Sequence, residues 1–308
     1  MNKKHLNGLI AASFTPMDED SNVNLKPIEQ YARHLINSKV LGVFVCGTTG
    51  ECSSLTTDER KAVLEKWISC SNKKLKIICH VGGNCLPQSI ELAIHAGKSG
   101  AYAVGAYSPS FFKPKTVQEL LTFMAPIANS APHLPFYYYH IPSLTGVNLA
   151  GNELLVAAQS IIPNFAGIKF AHNDLYDMQQ CIAYDNGKFE ILHGFDEILL
   201  CGLSLGVQGA VGSNYNYMPS VYLDLWEAFN QLNIIKAREL QQFSGKIVQL
   251  LFKFGGGVRA GKAIMEFIGI NCGPVRLPIK KMTIHERETF KNELSDAGFF
   301  KMINKTPN

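Results

Sequence analysis

The chain has 308 residues, 46% of them hydrophobic, with 26 glycines and 14 prolines, enough for one large globular domain or two smaller ones. Its net charge of +4 is mild and its lysines are scattered, so no basic stripe interleaved with aromatics is offered to nucleic acid. Eight cysteines, at positions 46, 52, 70, 79, 85, 181, 201 and 272, form neither a CxxC pair nor a metal-ligand spacing. Without a disulfide framework a reducing, cytoplasmic compartment is expected, and without a run of 18 or more apolar residues no membrane span is expected.

The opening Met1-Asn-Lys-Lys-His5 is basic, but the apolar stretch behind it is broken by Asn7 and Gly8 and soon meets Thr15-Pro16 and Asp18-Glu19-Asp20. Residues 9–14 therefore read as a first strand and not as a signal core. Further short apolar runs at 42–46, 75–81, 103–106, 136–139, 165–170, 189–192 and 209–211 predict seven more strands. Amphipathic stretches lie between them. Ile28, Tyr31, Leu35 and Ile36 share one helical face, as do Val63, Leu64, Trp67 and Ile68 behind Asp58-Glu59, and Thr116 with Glu119 has the spacing of a capping box. Continuously apolar strands alternating with such helices imply a parallel sheet covered on both faces. Eight units in this length fit an α/β fold of the (β/α)₈ TIM-barrel type better than an open sheet. Beyond Met218 only helical spacing remains, at 219–232, 235–254, 258–270 and 284–297. The chain thus divides into a barrel, 1–217, and a C-terminal helical extension, 218–308, packed on it as one structural unit.

In such a barrel the carboxyl ends of the strands share one mouth, where active sites sit. Strand 2 ends in Gly47-Thr48-Thr49-Gly50-Glu51, which is either an ordinary turn with a helix cap or a nest of donors for a carboxylate. Strand 5 delivers Tyr139, strand 6 Lys169, strand 7 Gly194-Phe195-Asp196-Glu197 and strand 8 Gly212-Ser213-Asn214. A lysine at a strand end can simply point into solvent. Held among apolar neighbours it loses solvation for its charged form, its pKa falls, and the neutral amine becomes able to attack a carbonyl. A phenol beside it is a proton shuttle. Adjacent acids at the mouth grip the hydroxyls of a polyol, or stabilise a helix N-terminus. His140 and His172 read as hydrogen-bonded wall residues, with a general-base role for His172 as the alternative. Gly256-Gly257-Val258-Arg259-Ala260-Gly261-Lys262 matches G-x-x-x-x-G-K. Ala263 replaces the hydroxyl that should hold magnesium, and the preceding run is helical, so a nucleotide hydrolase is not expected. No metal and no cofactor is assigned.

Taken together, Gly47-Thr-Thr-Gly-Glu51, Tyr139-His-Ile-Pro142, Gly167-Ile-Lys169, Gly194-Phe-Asp-Glu197 and Gly273-Pro-Val-Arg-Leu-Pro278 closely resemble the N-acetylneuraminate lyase/dihydrodipicolinate synthase family, over nearly the whole chain and in the family's order. The resemblance implies a (β/α)₈ barrel with a helical extension, a homotetramer, and class I aldolase chemistry without a metal. Lys169 becomes the Schiff-base lysine, Tyr139 the proton-transferring phenol, and Thr48 and Thr49 the hydroxyls for a keto-acid carboxylate. Leu144 stands where the synthase branch places an arginine for a second carboxylate. Gly194, Asp196, Glu197 and Ser213 stand where the sialic acid branch holds a polyol tail. The implied reaction is cleavage of a sialic acid to pyruvate and an N-acetylated aldose; another pyruvate-dependent aldolase, or a non-catalytic sugar-acid-binding protein, is the alternative. Two departures accompany the match. Ala171 replaces a family hydroxyl two residues after the lysine, and Phe111 and Phe112 stand where many relatives carry a tyrosine that reaches a neighbouring subunit.

Overall fold

The computed structural model describes residues 5–304; residues 1–4 and 305–308, which the expected unit boundaries take in, lie outside the described residues. Eight parallel strands close into a barrel: β1 Gly8–Ala12, β2 Gly42–Val45, β3 Lys76–His80, β4 Ala103–Tyr107, β5 Phe136–His140, β6 Phe165–Phe170, β7 Glu190–His193 and β8 Gly209–Gly212. Each pairs with the next and β8 pairs back to β1, Ile10 opposite Val211. All eight lie within two residues of their expected ends.

The strands read as unbroken apolar runs because both faces are buried. Along β2, Val43 and Val45 pack outward against the helices while Phe44 points into the barrel, and along β5 Phe136 and Tyr138 face outward while Tyr137 and Tyr139 face inward. The period of two is present, but every position of β2 and β5 is buried, so it leaves no polar trace.

A helix follows each strand, from Ile28–Asn37 after β1 to Pro219–Asn230 after β8. The expected capping box forms: Thr116 Oγ1 accepts from the Glu119 amide at 3.1 Å, and Glu119 accepts from the Thr116 amide at 3.3 Å. Helices Ile234–Lys253, Gly257–Phe267 and Ile284–Asp296 follow. The sequence reading runs the second of these to 270; it stops at Phe267 because Gly269 has a left-handed φ of 92°. A short helix absent from that reading, Phe299–Ile303, starts after Gly298 (φ 82°) and buries Phe299 beside the Tyr217 ring. Pro219–Asn230 stands after β8 as the other helices stand after their strands, so the helical ring closes one helix beyond residue 217. The extension shares the barrel's outer core, where Ile247, Phe290 and Leu294 belong to the same buried cluster as Leu9 and Phe14. Among the described residues no helix is long and apolar enough to cross a membrane, and all eight cysteines are free thiols.

Candidate active site

Lys169 and Tyr139 are direct partners across the β5–β6 ladder, and a single irregularity makes them so. Phe136 pairs with Phe165 but Tyr137 pairs with Gly167, so Ala166 is an extra residue on β6. A one-residue slip exchanges the faces of a strand. Without this bulge Tyr139 would lie opposite Ile168. The bulge needs Gly167, where a Cβ would stand 1.8 Å from the Glu190 carbonyl oxygen.

Lys169 is 4% exposed. Its amine lies 3.8 Å from the centroid of the Tyr139 ring and 4.1 Å from that of Phe44. Aromatic faces attract the charged form, but removal of water dominates, and burial brings its pKa from an ordinary 10.5 down to about 7 against the opposing pull of Asp196. The alternative of a solvent-directed lysine is therefore excluded. Tyr139 packs edge-on against Phe44 and His80, and its hydroxyl is 3.3 Å from Thr48 Oγ1. Burial pushes that phenol well above its usual range, so it holds its proton at neutral pH.

Thr48 and Thr49 are half-buried on the rim. Their turn sits tightly on Phe44, since a Cβ at Gly47 would come within 2.8 Å of that ring. A cavity of about 230 Å³ opens beside Thr48, walled by Ser53, Tyr107, Leu144 and Thr145.

On the other side of the mouth Asp196 is 5% exposed and accepts a hydrogen bond from the Asn214 amide at 2.8 Å. Burial, with Glu197 beside it, raises its pKa to about 7, and burial raises Glu197 as well. Gly212 makes room for Asp196: a Cβ there would lie 1.6 Å from Oδ1. Gly194 and Ser213 flank this carboxylate, both half-buried. The Asp196-Glu197 pair also opens a short 3₁₀ turn, Asp196–Ile198, as the helix-start reading expects.

The two histidines are wall residues, and His140 is not hydrogen-bonded through Nδ1. His140 points between sheet and helices, its ring 5.1 Å from Phe170 and 5.4 Å from His172, with Nδ1 buried and unpartnered. Burial lowers its pKa to about 4, so it stays neutral and needs no charged partner. His172 packs on His140 and Phe170. Gly256 to Lys262 is no phosphate loop. It begins the helix Gly257–Phe267, and Lys262 is buried against Glu51. Ala171 is buried, Leu144 is 61% exposed, and Phe111 and Phe112 stand 76% and 86% exposed with their rings edge to face.

Three neighbours of the site went unread in the sequence. Phe44 is indistinguishable from core in its apolar run. His80 ends β3; its Nδ1 is 3.0 Å from the Cys46 carbonyl and its own carbonyl accepts from Arg60. Tyr107 ends β4 and stacks on His80 at 4.5 Å; the strand-end rule would have named both. Among the described residues no group of three or more His, Cys, Asp or Glu is placed to hold a metal ion.

With this geometry in view, similarity to known proteins becomes informative. The model of the Dihydrodipicolinate synthetase family matches residues 5–297. N-acetylneuraminate lyase of Rattus norvegicus is 44% identical over 301 residues, 96% of this chain and 94% of the relative. Among solved structures, Proteus mirabilis N-acetylneuraminate lyase superposes with a TM-score of 0.94 at 38% identity, over 96% of this chain and all of that one. The N-acetylneuraminate lyase (sialic acid aldolase) of Aliivibrio salmonicida does so with a TM-score of 0.94 at 41% identity, over 96% and 98%.

Proposed function

The chain belongs to the dihydrodipicolinate synthetase family, and we propose that it is a carbon–carbon lyase that cleaves N-acetylneuraminate reversibly into pyruvate and N-acetylmannosamine. The observation that carries this reading is Lys169, a buried amine with its pKa near 7, placed opposite a protonated phenol whose hydroxyl reaches Thr48. The names of its relatives support the substrate.

In the proposed reaction the neutral Lys169 amine attacks the C2 ketone of the open-chain sugar acid, and Tyr139 gives its proton to the departing hydroxyl, so that loss of water leaves an iminium, an electron sink. Thr48 and Thr49 donate hydrogen bonds to the C1 carboxylate. The Tyr139 phenolate left by that step, acting through that carboxylate, takes the C4 hydroxyl proton. The electrons of the C3–C4 bond flow into the iminium as C4 becomes an aldehyde, and N-acetylmannosamine leaves. The remaining enamine is protonated at C3 by the same phenol, and hydrolysis frees pyruvate and the amine. Asp196 and Glu197, with Gly194 and Ser213, bind the hydroxylated tail.

A rival condensation with aspartate semialdehyde needs a cation for its second carboxylate, and the exposed Leu144 supplies none. Eight free thiols support a reducing, cytoplasmic setting, and the exposed Phe111-Phe112 pair supports assembly into a homotetramer. The test is incubation with pyruvate and borohydride, followed by peptide mass spectrometry and coupled assays on both substrates. A reduced adduct on Lys169 and cleavage of N-acetylneuraminate are expected. An unmodified Lys169, or turnover of the semialdehyde alone, would overturn the proposal.

A further inference from the structure

Lys262, the lysine of the G-x-x-x-x-G-K run, has a partner far away in sequence. Its ammonium lies 2.6 Å from the Glu51 carboxylate, with both side chains 2% exposed, and donates to the Pro274 carbonyl at 2.7 Å. The second Glu51 oxygen accepts from the Arg276 amide at 2.8 Å. The Arg276 guanidinium spans Glu59 and the Ser54 carbonyl, each at 2.7 Å, and the Ser21 carbonyl at 2.8 Å. Residues 262–276 of the extension therefore grip the segment 51–59 immediately behind Thr48 and Thr49.

That segment needs an outside grip. Cys46 and Glu51 bracket the turn with left-handed φ values of 55° and 57°, which non-glycine residues keep only where the surroundings over-determine them. A buried ion pair is a poor stabiliser, because desolvation offsets its attraction, yet it specifies position sharply. Its location at the end of the hydroxyl-bearing turn then has a purpose that stability alone does not give it.

We propose that the Glu51–Lys262 pair is a positioning device for the keto-acid carboxylate, holding the Thr48-Thr49 turn against Tyr139 from the C-terminal extension without touching substrate. The inference rests on the lyase reading above and deepens it. It separates two substrates that a general loss of packing would affect together. Pyruvate meets the turn, whereas the aldose binds across the mouth at Asp196 and Glu197.

The experiment measures synthesis with Glu51→Gln, which keeps the side-chain volume and an acceptor for the Arg276 amide, and with Glu51→Gln/Lys262→Met, which leaves no lone charge buried. The expected result is a rise of about tenfold in the pyruvate KM and in the pyruvate concentration that half-saturates borohydride trapping. A tenfold change is about 1.4 kcal/mol. The KM for N-acetylmannosamine should stay within about twofold. Where Glu51→Gln fails to accumulate, the double variant carries the same readout. A folded variant with a wild-type pyruvate KM, or one whose two KM values rise together, overturns the inference. Wild-type enzyme that is not trapped by pyruvate overturns the lyase reading instead.

Discussion

The depressed pKa of Lys169 makes a quantitative claim about both rate and stability. Between the ordinary 10.5 and the value near 7 that burial imposes, the neutral fraction at pH 7 rises from roughly 1 in 3,000 to about one half. The rate of imine formation at low pyruvate should therefore climb about tenfold per pH unit below 7 and level off above it. Rapid mixing with pyruvate, a borohydride quench and intact-mass analysis read the rate directly. A rate still climbing tenfold per unit up to pH 9 would show a solvated amine and refute the desolvation account.

The same burial appears as a stability penalty with a defined sign. Below pH 7 Lys169 is protonated in both folded and unfolded chains, and the folded state bears the whole desolvation penalty, at about 1.36 kcal/mol per pH unit of depression, ~5 kcal/mol in all. Between pH 7 and 10.5 the folded amine is neutral while the unfolded one still binds a proton, so stability rises with pH across that window. Lys169→Met removes the titration. Relative to wild type it should be more stable by several kcal/mol at pH 6, with the gap shrinking towards pH 10. Urea melts of the two proteins at a series of pH values measure it, and a gap independent of pH would refute the reasoning a second way.

Tyr139→Phe should keep the pyruvate adduct on Lys169 while slowing cleavage by about 10²–10⁴-fold, the usual worth of a positioned proton donor; trapping and steady-state assays on one preparation separate the two. Asp196→Asn should raise the KM for N-acetylneuraminate by about 10–100-fold through loss of a charge-assisted hydrogen bond and leave the pyruvate KM in place. It should also move the Lys169 inflection to lower pH, because Asp196 holds that pKa up. In wild type the two groups interact, so the inflection belongs to the pair. Gly212→Ala drives a Cβ into the Asp196 carboxylate. It should lower stability by about 1–3 kcal/mol and reproduce the sugar KM defect of Asp196→Asn, as thermal melts and the same kinetics would show.

The strand ends were legible because each apolar run is short and bounded by turn or helix signals, and walking past their ends yields Thr48, Tyr139, Lys169, Asp196 and Ser213 in order around the mouth. The face on which Lys169 emerges was not legible. It depends on the extra residue Ala166 in the β5–β6 ladder, and a bulge in a strand buried on both sides leaves no mark on the hydrophobic pattern. The Glu51–Lys262 contact was hidden for a different reason. Lys262 carries a local motif that suggests a phosphate, and only the tertiary packing of the extension onto strand 2 gives it a carboxylate. His140 shows the limit of a compositional rule, since a histidine kept neutral by burial can pack as an aromatic ring with Nδ1 unpartnered.

Phe44 draws these features into one device. Its ring lies 4.1 Å from the Lys169 amine, meets Tyr139 edge-on with centroids 5.6 Å apart, and leaves room above it for no side chain at Gly47. At Gly105 on β4 a Cβ would approach the same ring to 3.2 Å. The Lys169 amine, the Tyr139 phenol and the start of the hydroxyl-bearing turn are thus referenced to a single apolar surface at the end of a rigid strand. Water is excluded from the amine by the same contacts that fix its direction, so the pKa of Lys169 and its alignment with Tyr139 share one cause. A smaller residue at position 44 would rehydrate the amine and loosen the turn together. The chemistry of this mouth therefore depends on a phenylalanine that no motif singles out.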